Sequence, residues 1–559
     1  MNTSSVRYFD RAVPILIGIL LLVRLIGMAE VPLLDTTEAR YGEIGRKMAE
    51  LNDWVTPWFD YGVPYWGKPP LSFWVTAISF KLFGVNEFAA RLPHMAISLL
   101  VVGLVAWLAA RRDRNAALPS VAVMSGSFLY FISAGAVMAD IELTLGTTLA
   151  MVGFWLAVQA PAETRSNTWA TSRPGFTGSL IFGGLIVGLL AKGPLALVMA
   201  GAPLFLWTAY NRRWLDVWHR VPWVRGVLLT LLIALPWYWI AEYHTPGFLE
   251  YFLVGEHWQR FITPGWGGDR YGNAHIFPIG SIWVFAIVDT LPWSLLLPLA
   301  AWRWRKEVVG SATSIRANAD NIDVRTFGPS AVQSIDAEDQ TRFIRSDERI
   351  WQGYLLIWAI TPLLFFTAAR NLVMTYVLPG IPAAAILGGG WLAHQQRKGR
   401  EINRWLSIGL LLTLLTMCGL FVMNISQPDK MEHKSVKTLV ASYNQAIATP
   451  SASDSPSSNP AQSSAPLIFL WFRPFSAQFY SHGRAVKVAS VEECWERIGV
   501  GAAYVATFSG DAFMADAASN GAGALSGKAG ALSTAGNAAR VVTRIGHYGD
   551  YDLLFVAAR

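Results

Sequence analysis

Residues 70–84 read PLSFWVTAISFKLFG. The stretch is apolar, and whether it crosses a membrane decides the side on which every later loop lies. A hydrocarbon core of about 30 Å takes roughly 20 mostly apolar residues per helical span. Eleven other runs meet that need, near 12–30, 92–110, 116–136, 142–160, 177–190, 194–210, 224–243, 278–302, 351–368, 373–394 and 405–426. Charge settles the position of 70–84. If it stays outside the hydrophobic core as an interfacial or re-entrant helix, Arg111/Arg112/Arg114, Arg212/Arg213/Arg220, Arg303/Arg305/Lys306 and Arg397/Lys398/Arg400/Arg404 all join Arg7 and Arg11 on the cytoplasmic side, as the positive-inside rule requires. The expectation is a mainly α, polytopic helical membrane protein with about 11–13 spans. Its N-terminus is then cytoplasmic, and 31–91, 137–141, 191–193, 244–277, 369–372 and everything past about 427 lie outside.

Composition agrees. Of 559 residues, 53% are hydrophobic and 15% charged, against about 25% charged in soluble proteins. Mean hydropathy is +0.35, and 25 Trp and 17 Tyr suit membrane interfaces. The net charge of +7 records topology here rather than nucleic-acid binding. Cys418 and Cys494 offer no metal spacing and no disulfide framework, which excludes cysteine metal clusters and redox chemistry. The first run ends in Glu30 with no small-residue cleavage site, and reads as a retained anchor.

Three domains are expected: a membrane domain over 1–430, a linker over 431–466 containing the low-complexity TPSASDSPSSNPAQSSAP, and a small α/β domain over 467–559. In the last, LIFLW, AVKVA, AYVAT and DLLFVA read as strands and FSAQFY as a helix. Residues 308–348 are polar and of mixed charge, a flexible cytoplasmic insertion. The Gly/Ala-rich 517–539 reads as a floppy loop.

The chemistry-bearing residues gather on outer loops. The first runs DTTEARYGEIGRKMAELNDWVTPWFDYGVPYWGKPPL, from Asp35 to Leu71, and its 38–51 portion forms an amphipathic helix with Ile44, Met48 and Leu51 on one face. Glu43, Glu50 and Asp53 read as solvated helix charges. Glu38 stands apart, beside Arg40 and Tyr41 on a loop that closes with Tyr65 and Lys68. Asp140 and Glu142, in VMADIEL, sit at the mouth of a span, where carboxylates are costly and therefore functional candidates; pairing with an arginine is the structural alternative. Lys68, Lys192, Arg260 and Arg370 lie on the face where the topological rule disfavours cations. Singly each could snorkel to lipid headgroups; together they point to an anionic ligand, a phosphate at the membrane surface. His257 and His275 share a loop with Glu256 and Asp269 and could ligate a divalent metal, but at a spacing that matches no ligand signature.

The order TEARYGEI, DWVTP, YWGKPPL, a short acidic second loop, LLAKGP, EHWQRF and TYVLPGIP resembles the bacterial membrane glycosyltransferases of the GT-C fold, the lipid A aminoarabinose transferases and protein O-mannosyltransferases, over about residues 10–430. The resemblance implies an inverting enzyme of the inner membrane that takes a sugar from polyprenyl (undecaprenyl) phosphate on the periplasmic face. Its acceptor would be lipid A or another envelope glycan, and the C-terminal domain would be periplasmic. Membrane lipids are expected partners and nucleic acid is not. The family's first-loop acidic pair falls on Thr37 and Glu38, leaving Glu38 as the carboxylate and Asp35 as a nearby stand-in. Asp140 matches the second-loop acid. Arg40, Tyr65, Lys68, Arg260 and Tyr376 match positions around the carrier phosphate, and Gly67 replaces a metal-binding glutamate of the aminoarabinose transferases. The catalytic pair implied is Glu38 and Asp140. A protein O-mannosyltransferase and a lipid-linked sugar transporter or flippase are the alternatives; the last would show ionisable residues deep in its spans, where only Glu242, Asp289 and Arg24 come near.

Overall fold

The computed structural model describes residues 3–159, 173–272, 275–318, 334–448, 465–499, 501–519, 532–533 and 540–558. They divide into two compact units, one of 1–26, 53–75 and 91–417, the other of 27–52, 76–90 and 418–559. Residues 449–464 of the expected linker, and most of 517–539, lie outside the described residues.

The first unit is a helical membrane domain. Among the described residues, seven helices are long and apolar enough to cross a bilayer, or eight if one bent pair counts as a span. This is fewer than the eleven runs of the sequence, for physical reasons. The run 116–136 breaks into Ala117–Ser125 and Phe128–Ser133. At the break a Cβ on Gly126 would lie 2.9 Å from the Trp293 ring, and Phe128 N–H donates across to the Leu291 carbonyl. The run 278–302 bends by 77° between Ser281–Asp289 and Trp293–Arg305, at Pro292, which has no N–H to continue the helical ladder. The run 194–210 falls on the 17-residue helix Leu195–Asn211, short of a full span, while 177–190 lies within the helix Arg173–Lys192. Residues 70–84 contain the 13-residue helix Leu71–Phe83.

The expected insertion 308–348 is helical at both described ends: Trp293–Asn318 continues into it and Ser334–Phe366 begins within it. Extending a helix already nucleated in a span costs little, even where the sequence lacks a period. Residues 319–333 lie outside the described set. Inside the unit an aromatic cluster of Phe154, Trp155, Trp207, Trp351 and Tyr354 has ring centroids 4.5–6.3 Å apart, and Tyr354 donates its hydroxyl to the Met151 carbonyl.

Two helices matter most for the site. Asp140–Gln159 and Arg173–Lys192 run antiparallel, in backbone contact through glycines. A Cβ on Gly146 would lie 2.6 Å from the Gly184 carbonyl, and one on Gly184 would lie 2.3 Å from the Gly146 carbonyl. Gly184 and Gly188 form the small-xxx-small pattern that lets membrane helices approach closely. The crossing brings the start of one helix, Asp140, to the end of the other, Lys192.

The second unit combines the helix Thr37–Leu51 with a six-stranded sheet; Glu43, read as a solvated charge, is instead fully buried and paired with Arg46 and Lys47. A small hairpin of the first unit supplies β1 (Trp58–Asp60) and β2 (Val63–Pro64). The sheet comprises β3 (Leu467–Leu470), β4 (Ala485–Val488), β5 (Ala502–Thr507), β6 (Leu532–Ser533), β7 (Arg540–Tyr548) and β8 (Tyr551–Ala558), in the order β4-β3-β5-β8-β7-β6. β3 pairs parallel with β4 and β5, and the remaining pairs are antiparallel. Alternation along β3 sends Leu467 and Phe469 to one face and Ile468 and Leu470 to the other. The stretch 431–466, read as linker, contains the helix Lys437–Ala448, which buries Leu439, Val440 and Tyr443 on the first of these faces.

Candidate active site

In the first unit a cavity of about 330 Å³ is lined by Lys68, Lys192, Glu256, Arg260, Asn371 and Tyr376 together with apolar side chains. Lys68 arrives on the turn before helix Leu71–Phe83. Glu256 and Arg260 lie one turn apart, at the end of the π-helix Glu250–Gln259 and the start of the short helix that follows. Lys68 Nζ bonds Glu256 and the Gly67 carbonyl. Arg260 Nη1 reaches both Glu256 oxygens at 2.9 Å and Asp269 at 3.5 Å. Burial alone would raise the Glu256 carboxyl, but the charges of Lys68 and then Arg260 outweigh it and hold the group at about 2. Burial pulls Lys68 down and the Glu256 charge more than restores it, so the ammonium lies above the usual lysine range. Asn371 Nδ2 donates to the carbonyls of Arg260 and of Thr263, fixing this turn.

Across the cavity Lys192 Nζ bonds Asp140 Oδ1 at 2.6 Å and lies 5.2 Å from the Tyr376 ring centroid. Tyr376 is itself stacked on Phe366 at 4.2 Å. Lys68, Arg260, Lys192, Asp140 and Tyr376, read from separate parts of the sequence, therefore share one neighbourhood in the first unit.

The other candidates are placed differently. Tyr65 is buried among Phe59, Phe73 and Tyr271, and a Cβ on Gly67 would lie 2.8 Å from its hydroxyl, so any side chain at 67 would require the tyrosine to move. Glu142 is fully buried and paired with His94 Nδ1 at 2.6 Å. Arg370 is half-buried, and its carbonyl accepts from Phe277 N–H. His275 is exposed. His257 sets Nδ1 2.7 Å from the Phe252 carbonyl and Nε2 3.1 Å from the Lys192 carbonyl, with burial pushing its pKa down. Both nitrogens face backbone oxygen, so they do not fit a metal. Among the described residues no three His, Cys, Asp or Glu side chains come together to hold one. Of the deep ionisable groups, Glu242 accepts from Gly247 and Leu249 N–H. Arg24 donates to the Ala134 and Ile132 carbonyls at the end of a broken helix, and Asp289 ends the first half of the bent pair.

Within the second unit, Glu38 lies in the first turn of helix Thr37–Leu51, and the Arg40 guanidinium lies 5.6 and 5.9 Å from the Tyr41 and Phe475 ring centroids. Asp35 is engaged structurally. Its carboxylate accepts from Phe475 N–H at 2.9 Å, Ser476 N–H at 3.2 Å and the Ser476 hydroxyl, at the first turn of helix Phe475–Tyr480. Burial raises its pKa to about 6.

Sequence reading set Glu256 only beside the histidines and passed over His94. Glu256 is one turn before Arg260, a spacing that signals a helical ion pair. His94 sits within the apolar run 92–110, where an ionisable residue is itself a signal.

A polytopic helical domain with charged loops around a cavity, followed by a small mixed sheet, is the GT-C architecture. The structure matches the crystal structure of ArnT from Cupriavidus metallidurans bound to undecaprenyl phosphate with a TM-score of 0.66 over 97% of each chain at 18% identity, and the same protein in the apo state at 0.63. Residues 21–252 match the family Dolichyl-phosphate-mannose-protein mannosyltransferase. The chain is 31% identical over 390 residues to the undecaprenyl phosphate-alpha-4-amino-4-deoxy-L-arabinose arabinosyl transferase of Edwardsiella ictaluri (strain 93-146), covering 68% of this chain and 59% of that one. It is 29% identical over 416 residues to the enzyme of the same name from Enterobacter sp. (strain 638), covering 72% and 64%. The matches span about three fifths of the length of these relatives. The chain is a multi-span membrane protein with the GT-C fold, similar in sequence to the aminoarabinose transferases and, over residues 21–252, to the protein mannosyltransferase family.

Proposed function

We propose that the chain transfers a sugar from undecaprenyl phosphate to lipid A or another envelope glycan, with inversion, on the periplasmic face of the inner membrane. The carrying observation is the convergence of Lys68, Arg260 and Lys192 on one cavity, with Asp140 paired to Lys192 beside it. The names of the relatives support the choice of carrier and sugar class.

Displacing the carrier from the anomeric carbon leaves negative charge on the phosphate and builds positive charge on the sugar. Lys68 and Arg260 answer the first electrostatically, in a site already arranged for it. For the carrier phosphate to bind there it trades places with the Glu256 carboxylate that both cations hold in its absence. Asp140 accepts the proton of an acceptor hydroxyl, or steadies the oxocarbenium-like carbon, while Lys192 positions its carboxylate. Tyr376, stacked beside Lys192, borders the same space. The resemblance adds Tyr65, carried on the same loop as Lys68, toward the phosphate. No covalent intermediate and no metal is required for a single displacement.

The test is purified protein in detergent with a radiolabelled undecaprenyl-phosphate sugar and lipid A. Transfer of label to the acceptor is expected. Detergent removes any vectorial movement, so a chain that moves the carrier across vesicles yet transfers nothing in detergent would be a flippase.

A further inference from the structure

The C-terminal sheet presents an aromatic group that the proposed reaction does not use. Trp471 and Phe472 follow the carboxyl end of β3, Phe508 follows that of β5, and they are 42%, 50% and 45% exposed. Tyr551 links two of these positions: its ring lies 4.5 Å from that of Phe508 and its hydroxyl donates to the Phe472 carbonyl. Trp471 holds φ at +69°, a left-handed conformation that a bulky side chain adopts only when its surroundings enforce it. The chain is thus strained to project an indole into solvent.

The position of this end of the sheet within its own unit identifies what the aromatics meet. The loop after β3 is tied to Asp35, whose carboxylate caps helix Phe475–Tyr480, and Asp35 follows the end of the first span, Glu30, by five residues. The β7–β8 turn is tied to the segment that leaves the last span: Gly549 N–H donates to Glu432, and His433 bonds Asp550 at 2.8 Å. The last span ends at Asn424. Two independent tethers therefore hold the carboxyl ends of β3 and β5 next to where the chain leaves the bilayer. The border is charged, with exposed Lys430 and Lys434 near the β7–β8 turn and Glu493 near the end of β4. A small apolar patch rimmed by charge is the form of a membrane contact, and Trp at headgroup depth is its usual residue.

We propose that Trp471, Phe472 and Phe508 form an aromatic foot seated in the lipid headgroup region, anchoring the C-terminal sheet to the bilayer surface. This reading is independent of the transferase reaction. The test uses full-length protein in lipid nanodiscs with Cys418→Ser and the buried Cys494 left in place. An environment-sensitive NBD label is attached at Phe472→Cys, or at Phe508→Cys should the first variant not fold. The control is a label at Arg497→Cys, an exposed position at the opposite end of helix Val491–Ile498. The foot positions are expected to emit to the blue of the control, to be quenched by phospholipids carrying a nitroxide just below the headgroup, and to resist aqueous iodide. Emission and iodide quenching equal to the control would overturn the proposal. So would protection that appears only when an acceptor lipid is added, which would make the crevice a substrate site.

Discussion

At the scale of single residues, Glu256 holds two cations, Lys68 and Arg260, in register. Removing one partner of a buried ion pair costs about 3–5 kcal/mol, because the remaining charge is left uncompensated. Glu256→Ala is expected to lower thermal stability in detergent, and added undecaprenyl phosphate to restore more of it than in the parent protein, since the phosphate takes the vacant place of the carboxylate. Equal stabilisation of parent and variant by the carrier would remove the phosphate from this site. Lys68→Ala and Asp140→Asn are each expected to reduce transfer by about a hundredfold or more with unchanged membrane insertion, read from turnover and from membrane-fraction yield. Near-parental turnover in both would refute the assignment. The individual charges were legible because ionisable residues at a membrane rim are few and costly. Their pairings were not: sequence spacing cannot show that Lys68 meets Glu256, 188 positions away, or that both ring nitrogens of His257 face backbone carbonyls.

At the scale of elements, the site depends on the glycine crossing of Asp140–Gln159 and Arg173–Lys192. Gly146→Val inserts a side chain where a single Cβ already meets backbone at 2.6 Å, and overpacking of this kind costs about 1–3 kcal/mol. The helices would separate and carry Asp140 away from Lys192. Turnover is expected to fall although no cavity residue has changed, and Gly146→Ala should fall less; parental activity in the valine variant would show that the crossing does not set the pair. The sequence displayed these helices as apolar runs, but the break at Gly126 rests on a distant partner, Trp293, whereas the bend at Pro292 follows from the proline's own missing N–H. The Asp35 cap also acts at this scale. Its folded pKa, raised to about 6 from 3.8, means the folded protein holds the proton more tightly than the unfolded chain. Stability from this group is therefore greatest below about pH 4 and declines as pH rises toward 6, by up to about 3 kcal/mol. Asp35→Asn should flatten that decline in a thermal melt followed from pH 4 to 7, and an unchanged slope would locate the titration elsewhere.

At the scale of the whole molecule, topology follows from charge. Alkaline phosphatase fused after Ala448 is expected to be active and, fused after Lys398, inactive; the reverse pattern would place the sheet and the cavity loops in the cytoplasm. The sequence showed the membrane class through its apolar runs and four of the six strands through alternation; β6, inside the stretch read as a floppy loop, and β7 were not read as strands. It could not show that residues 27–52, near its start, build one compact unit with residues beyond 418, because that association rests on single contacts such as Lys47 to Gln478 and Asp35 to Ser476. The latter pair is separated by 441 positions. At about 5–20 residues per second of synthesis, a ribosome needs roughly 20–90 s to deliver Ser476 after Asp35. For that interval Lys47, wholly enclosed in the finished protein, waits without Gln478. The first loop to leave the ribosome is among the last to reach its final form.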